Sequence, residues 1–291
     1  MTLFLSTSDN MIGSHMQFQK NIYDTIMSAI KMGMYSLQFF MGNPKSFNRS
    51  EISQDDIEKS IDLVKRYPIN VFSHSPYLFN LAGSKEILAW NGNPTQDQKT
   101  QVVINSLEYE LSVIANFNNK RNGVIVHPGN HINRHEGLLK IAESIDKINF
   151  AENSNLLLEN AAGQGTSLCT TFKEIRVILD NISEESQKHV NVCVDTAHIF
   201  GYGEYDISRL DEMQRMFREF DEIIGVDRLH LIHLNDSSVK CKTRKDRHEL
   251  IGDGYIWGNG KESLRYLLDF CKKNDIPIVL ETTPSDIFKF F

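Results

Sequence analysis

An α/β chain closed as a single (β/α)8 TIM barrel is the fold that the sequence predicts, and three observations predict it. Eight short apolar runs alternate with helix-period segments over 291 residues. No Pro/Gly/Ser-rich linker or low-complexity block interrupts them, so residues 1–291 read as one domain. The third to eighth runs each end at a His, Asp or Glu, as expected of a barrel whose active site lies at the carboxyl-terminal face of its strands. No glycine-rich dinucleotide loop follows the first run, which argues against an open doubly wound sheet.

The first strand is either Leu3 to Ser6 or Met11 to Ser14; Phe18, Ile22, Ile26 and Ile30 then recur at steps of four until Gly33 stops the helix. Ser36 to Phe40 is the second strand. After the turn Gly42-Asn43-Pro44, Ser53 caps a helix with acids in its first turn and Ile57, Ile61 and Val64 on one face. Ile69 to Ser73 is the third strand, and a long loop from His74 to Thr95 precedes the helix of Val103, Leu107, Leu111 and Ile114. Val124-Ile125-Val126 ends at His127, before a helical face of Leu138, Ile141, Ile145 and Ile148. Leu156-Leu157-Leu158 closes on Glu159, before Phe172, Ile175, Leu179 and Ile182. Val192-Cys193-Val194 closes on Asp195, before Leu210, Met213, Phe217, Phe220 and Ile224. The seventh strand, Leu229 to Leu234, carries His233 near its end and gives way to a polar turn, Asn235-Asp236-Ser237-Ser238. A last helix, Leu264 to Cys271, leads to Ile278-Val279-Leu280 and Glu281.

Composition narrows the function. With 31 basic and 38 acidic residues the net charge is -7, which argues against a protein that coats nucleic acid but allows a local patch that grips a few phosphates. The four cysteines, Cys169, Cys193, Cys241 and Cys271, form no C-x-x-C pair and point to a reducing compartment. No basic leader, long apolar leader or bilayer-spanning stretch is present, so the expectation is an intracellular, non-secreted protein.

The chemistry is concentrated at the strand ends. His74, His127, Glu159, Asp195, His233 and Glu281 occupy six of them, His198 lies one turn beyond Asp195, and Asp246 and His248 come from the loop after the seventh strand. Nine nitrogen and oxygen ligands exceed the four that one tetrahedral zinc takes, so two or three divalent metals are implied, and the absence of cysteine points to catalytic ions. Around Asp246 stand Lys240, Lys242, Arg244, Lys245 and Arg247, a pairing of cations with metal-type ligands that suits a phosphodiester held over a metal. His131, His135, His189 and His230 lack a strand-end position and read as structural.

With these residues located, the chain resembles the endonuclease IV family of apurinic/apyrimidinic DNA repair endonucleases, from about Ile12 to Ile287. The motifs are IGSH at Ile12, HSPYLFNLA at His74, HPG at His127, ENAAGQG at Glu159, CVDTAH at Cys193, HLND at His233, DRH at Asp246 and LET at Leu280. The resemblance implies three zinc ions per chain. His74, His127 and Glu159 would hold one; Glu159, Asp195, His233 and Glu281 a second; His198, Asp246 and His248 the third. It implies a monomer acting on double-stranded DNA containing abasic sites, with no membrane partner, in base excision repair. Hydrolysis 5′ to the abasic site would leave a 3′-hydroxyl and a 5′-deoxyribose phosphate. Glu159 would orient and help deprotonate the attacking water, and Arg247 would offset phosphate charge. Tyr77 and Leu78 would enter the base stack where the abasic nucleotide flips out. Lys45 would contact DNA where the family has an arginine, and Met16-Gln17-Phe18-Gln19-Lys20 replaces a small, glycine-rich segment. Two rivals use fewer of these residues: a sugar isomerase or epimerase leaves His198, Asp246, His248 and the cationic loop without a role, and a non-catalytic damage-binding protein has no need of the ligands.

Overall fold

The computed structural model describes residues 11–83, 96–117 and 119–289, and in it eight parallel strands close into a barrel. In chain order the elements begin β1 (Ile12–His15), α1 (Ile22–Lys31), β2 (Ser36–Phe39), α2 (Gln54–Arg66), β3 (Asn70–His74), α3 (Gln96–Ile114), β4 (Gly123–Val126) and α4 (Arg134–Ile145). They continue β5 (Leu156–Glu159), α5 (Phe172–Asn181), α6 (Glu184–Gln187), β6 (Val190–Asp195), α7 (Thr196–Tyr202), α8 (Leu210–Ile223), β7 (Leu229–His233), β8 (Asp236–Ser237), β9 (His248–Glu249), α9 (Lys261–Lys273) and β10 (Ile278–Leu280). The barrel closes where β1 pairs with β10 on one side and β2 on the other. Of the two alternatives for the first strand, Ile12–His15 is the barrel strand, and Leu3 to Ser6 lies outside the described residues. No helix among the described residues is long and apolar enough to cross a membrane.

Side-chain caps set the starts of α1 and α2. Asn21 accepts the Asp24 N–H at 2.7 Å and starts α1 at Ile22, so Phe18 is not on the helix; its ring lies 5.5 Å from that of Phe39. Ser53 caps α2 through the Asp56 N–H at 3.2 Å. Asp56 in turn accepts from the Ile22 and Tyr23 N–H groups, tying the start of α1 to α2.

The register of the strands places the site. Side chains alternate across a strand, so residues i and i+2 face the same side. Inside the barrel a layer of Phe72, Ile125, Leu157, Cys193, Leu231 and Val279 forms its own buried cluster, separate from the core beneath the helices. Two residues further along the same six strands stand His74, His127, Glu159, Asp195, His233 and Glu281. All six therefore point inward above an apolar floor. The same step takes β1 from Gly13 to His15 and β2 from Ser36 to Gln38, which are paired in register at the barrel's closure. A Cβ at Gly13 would lie 1.4 Å from the Ser36 carbonyl oxygen, so only glycine lets β1 and β2 approach this closely.

Candidate metal centre

Nine side chains converge on the carboxyl-terminal mouth. Three groups bring their ligand atoms within 4.8 Å of one another: His74, His127 and Glu159; Glu159, Asp195, His233 and Glu281; and Asp195, His198 and His248. The first two coincide with the sets expected from the sequence. In the third Asp195 is the common member, and Asp246 lies beside both histidines, 3.2 Å from His198 Nε2 and 3.1 Å from His248 Nε2.

Glu159 is the hub. Its Oε2 lies 3.3 Å from His74 Nε2 and 3.5 Å from His127 Nδ1, while Oε1 lies 3.1 Å from His233 Nδ1 and 3.4 Å from His198 Nδ1. Each carboxylate oxygen thus serves a different set of imidazoles, the arrangement a bridging ligand needs. Burial pushes the Glu159 pKa up, but the charges of His127 and His233 and the bonds from His233 and His74 prevail and hold it well below the usual carboxylate range. Asp195 links the second and third groups and is raised, by burial and by the neighbouring Glu159 and Glu281 charges, against the pull of His198 and His248.

Bonds on the outward nitrogens set the tautomers. His74 Nδ1 donates to the Ser75 carbonyl at 2.7 Å, and His198 Nδ1 to the Asn160 carbonyl at 2.8 Å. His233 Nε2 donates to Gln38 Oε1 at 2.7 Å. In all three rings the other nitrogen faces the carboxylates, so that the neutral ring would turn its lone pair toward a metal held there. His248 Nε2 is buried and makes no aligned hydrogen bond, although Asp246 Oδ1 is 3.1 Å away. Inward lone pairs, four carboxylates and no thiolate fit borderline divalent cations such as zinc.

The supports were not found from sequence. Asn235, expected only as part of a polar turn, is fully buried: its Nδ2 donates to Asp195 Oδ2 at 2.7 Å and Glu281 Oε2 at 3.0 Å. Asn160 Oδ1 accepts the Asp195 N–H at 2.7 Å. His198 sits on α7, a helix the apolar pattern did not reveal, because its N-cap is Asp195 itself, which accepts the His198 N–H at 2.9 Å. The expected turn at Asn235–Ser238 is also corrected, since Asp236–Ser237 pairs antiparallel with His248–Glu249.

That hairpin exists because the buried Asp236 carboxylate accepts backbone N–H groups of Ser237, Gly252, Gly254, Ile256 and Trp257 at 2.8–3.3 Å. A Cβ at Gly254 would lie 2.4 Å from Asp236 Oδ1, so a side chain there would break the turn. Asp236 thereby fixes the chain that carries Asp246 and His248. Asp236→Ala should cost roughly 3 kcal/mol or more, because it strands several buried N–H groups. Chemical denaturation should record that loss, and metal analysis should find one ion fewer per chain.

Around this mouth the other expected residues are exposed. Tyr77 and Leu78 are 59% and 45% accessible. The Tyr77 ring lies 5.3 Å from Phe40, edge-on, and 5.9 Å from His74. Lys45 is exposed on a neighbouring loop whose Pro44 carbonyl accepts the Tyr77 N–H at 3.2 Å. Arg49 braces that loop, donating to the Asn43 and Ser46 carbonyls and pairing with the buried Glu110 at 3.3 Å. Lys240, Lys242, Arg244, Lys245 and Arg247 are all exposed between β8 and β9. Arg244 lies over the Tyr202 ring at 5.5 Å, and Arg247 Nη1 donates to the Asp246 carbonyl at 2.6 Å. His131, His135, His189 and His230 stand outside the groups; His189, for example, donates to the Ser154 carbonyl and stacks on Phe150 at 4.7 Å. All four cysteines are free thiols.

A family model described as a xylose isomerase-like TIM barrel matches residues 27–260. The chain is 34% identical over 281 residues to a probable endonuclease 4 of Halothermothrix orenii, covering 93% of this chain and 92% of the relative. It is 32% identical over 280 residues to that of Methanosphaera stadtmanae, covering 95% and 94%. Among solved structures, endonuclease IV from Thermus thermophilus superposes with a TM-score of 0.76 at 23% identity, covering 94% of this chain and 92% of that one. A D-tagatose 3-epimerase-like protein superposes with a TM-score of 0.63 at 16% identity, covering 95% and 93%, a likeness of fold alone.

Proposed function

Because this chain belongs to the endonuclease IV family, within the xylose isomerase-like TIM barrels, we propose that it is a metal-dependent DNA hydrolase of base excision repair that cuts the phosphodiester 5′ to an abasic site. The products are a 3′-hydroxyl and a 5′-deoxyribose phosphate, and the whole chain works as one catalytic domain and as a monomer. The observation that carries this reading is the hub at Glu159, whose two oxygens serve two sets of imidazoles while Asp195 joins a third.

His74, His127 and Glu159 would hold one zinc, Glu159, Asp195, His233 and Glu281 a second, and His198, Asp246 and His248 a third, with Asp195 close enough to share the last. Zinc bound there would draw a nucleophile from water at neutral pH and offset charge on the reacting phosphate. The protein's own part is placement. Glu159, ionised and acceptor-only, orients the attacking water. Gln38 and Asn235 hold His233, Asp195 and Glu281 rigid, and Arg247 brings a positive charge beside Asp246 at the mouth. No side-chain nucleophile is required.

Binding divides between two surfaces. Lys45, Lys240, Lys242, Arg244, Lys245 and Arg247 attract phosphates whatever the sequence, whereas Leu78 and Tyr77, the latter edge-on to Phe40, wedge into the stack at the lesion. Neutralising two cations of the 240–247 loop should weaken binding to intact and abasic duplex alike and reduce the salt slope by about 2. Replacing Tyr77 and Leu78 with alanine should leave the slope unchanged and lower affinity for abasic duplex alone, roughly 10- to 100-fold. Fluorescence anisotropy across a salt series separates the two. A Tyr77/Leu78 variant with the wild-type ratio of abasic to intact binding would remove the wedge.

A further inference from the structure

We infer that His15 is a substrate-contacting residue whose neutral imidazole donates a hydrogen bond through Nε2 to an oxygen of the scissile phosphodiester. The inference rests on the function proposed above and adds a residue outside the nine ligands. Its basis is the orientation of Gln38, which is fixed by chemistry. Gln38 Nε2 lies 2.8 Å from Glu281 Oε1, and a carboxylate oxygen only accepts, so that end is the amide nitrogen. The other end, Oε1, accepts from His233 Nε2. The same Gln38 nitrogen carries a second hydrogen and lies 3.1 Å from His15 Nδ1. His15 Nδ1 is therefore an acceptor, and the ring's one hydrogen is on Nε2.

This is the reverse of the ligand histidines. As neutral rings His74, His198 and His233 donate outward and would turn a lone pair to the centre; His15 accepts from the wall and keeps its N–H for the mouth. An imidazolium there would set one N–H against another. Burial, with His74 and His233 beside it, also lowers the His15 pKa to about 4 against the pull of Glu281. Among the described residues Nε2 has no hydrogen-bond partner, and the ring, held against Phe40 at 4.7 Å, lines a cavity of about 110 Å³ together with His74, Glu159 and Glu281. A metal is excluded from His15, since one nitrogen accepts from Gln38 and the other is protonated. The remaining chemistry in a cavity ringed by metal-type ligands is the phosphate's own oxygens.

The test uses metal-loaded enzyme and a duplex with one tetrahydrofuran abasic analogue, carrying at the scissile position a phosphate or either phosphorothioate diastereomer. His15→Ala and His15→Phe, the latter keeping a ring on Phe40 without a donor, should lower kcat about 10- to 100-fold, the range for a hydrogen bond to a charged group. Metal content should equal that of wild type, and His15→Gln, which retains an N–H donor, should recover part of the rate. Sulfur is a poor acceptor, so one diastereomer should slow wild type by a factor that shrinks in both donor-free variants. A donor-free variant at the wild-type rate, an unchanged diastereomer effect, or loss of metal in step with rate would overturn the inference. A metal-loaded wild type that leaves the abasic duplex uncut would instead overturn the proposed function itself.

Discussion

Glu159→Gln should reduce incision of abasic duplex to background while the barrel stays folded. The substitution keeps size and shape but replaces one acceptor oxygen with an NH2 group and removes a charge. Either orientation then presents a donor to one set of imidazoles, His74 and His127 or His198 and His233, where a shared anion is needed. The floor beneath Glu159, from Phe72 to Val279, is untouched. The melting temperature should therefore stay within roughly 5 °C of wild type, given that about 1 kcal/mol moves a chain of this size by only a few degrees. Near wild-type turnover in this variant would remove Glu159 from the mechanism.

Removing the metals should make both stability and metal affinity depend on pH through the histidines. Burial works to lower the His198, His233 and His248 pKa values, but their neighbours prevail in each case: Asp195 and Asp246 at His198, Cys193 with Glu281 and Glu159 at His233, Asp246 and Asp195 at His248. His248 is raised to about 9. A pKa raised on folding contributes stability that is complete below the unfolded value of about 6.5 and is lost as pH rises through the folded value. The stripped protein should therefore lose on the order of 3 kcal/mol from His248 between about pH 6.5 and 9.5. Zinc needs the neutral ring, so reloading at pH 7 should release more than one proton per chain, and affinity should fall as pH falls. Calorimetry in buffers of different ionisation enthalpy measures that release; binding without it would show that the histidines are not the ligands.

The barrel and the six ligand-bearing strand ends are legible in the sequence because both depend on local pattern. Each apolar run is short, and its inward face repeats every second residue, so Leu157 predicts the direction of Glu159 and Leu231 that of His233. The same rule extended to β1 and β2 reaches His15 and Gln38, which complete the ring of eight. They escape a search for ligands, since glutamine is a poor one and the first strand had two possible positions. The 236–249 hairpin and α7 depend on side chains bonding to distant or shared backbone. Asp236 collects N–H groups up to 21 residues away, and Asp195 is strand end, cap and candidate ligand at once. Neither leaves a periodic trace. Residues 84–95, within the long loop expected before α3, lie outside the described residues.

The likeness of this barrel to sugar epimerases shows that fold alone does not select the chemistry. The choice lies with the third group, His198 and His248 with Asp195 and Asp246, and with the cations beside it. The most direct measurement is incubation of the purified protein with two duplexes, one intact and one carrying a single tetrahydrofuran abasic analogue, with zinc counted on the same sample. One cut 5′ to the lesion with a 3′-hydroxyl end, no cut in the intact duplex, and two to three zinc ions per chain is the result expected. An uncut abasic duplex with the metals in place would contradict the account, and full activity with one zinc or fewer would contradict its metal centre.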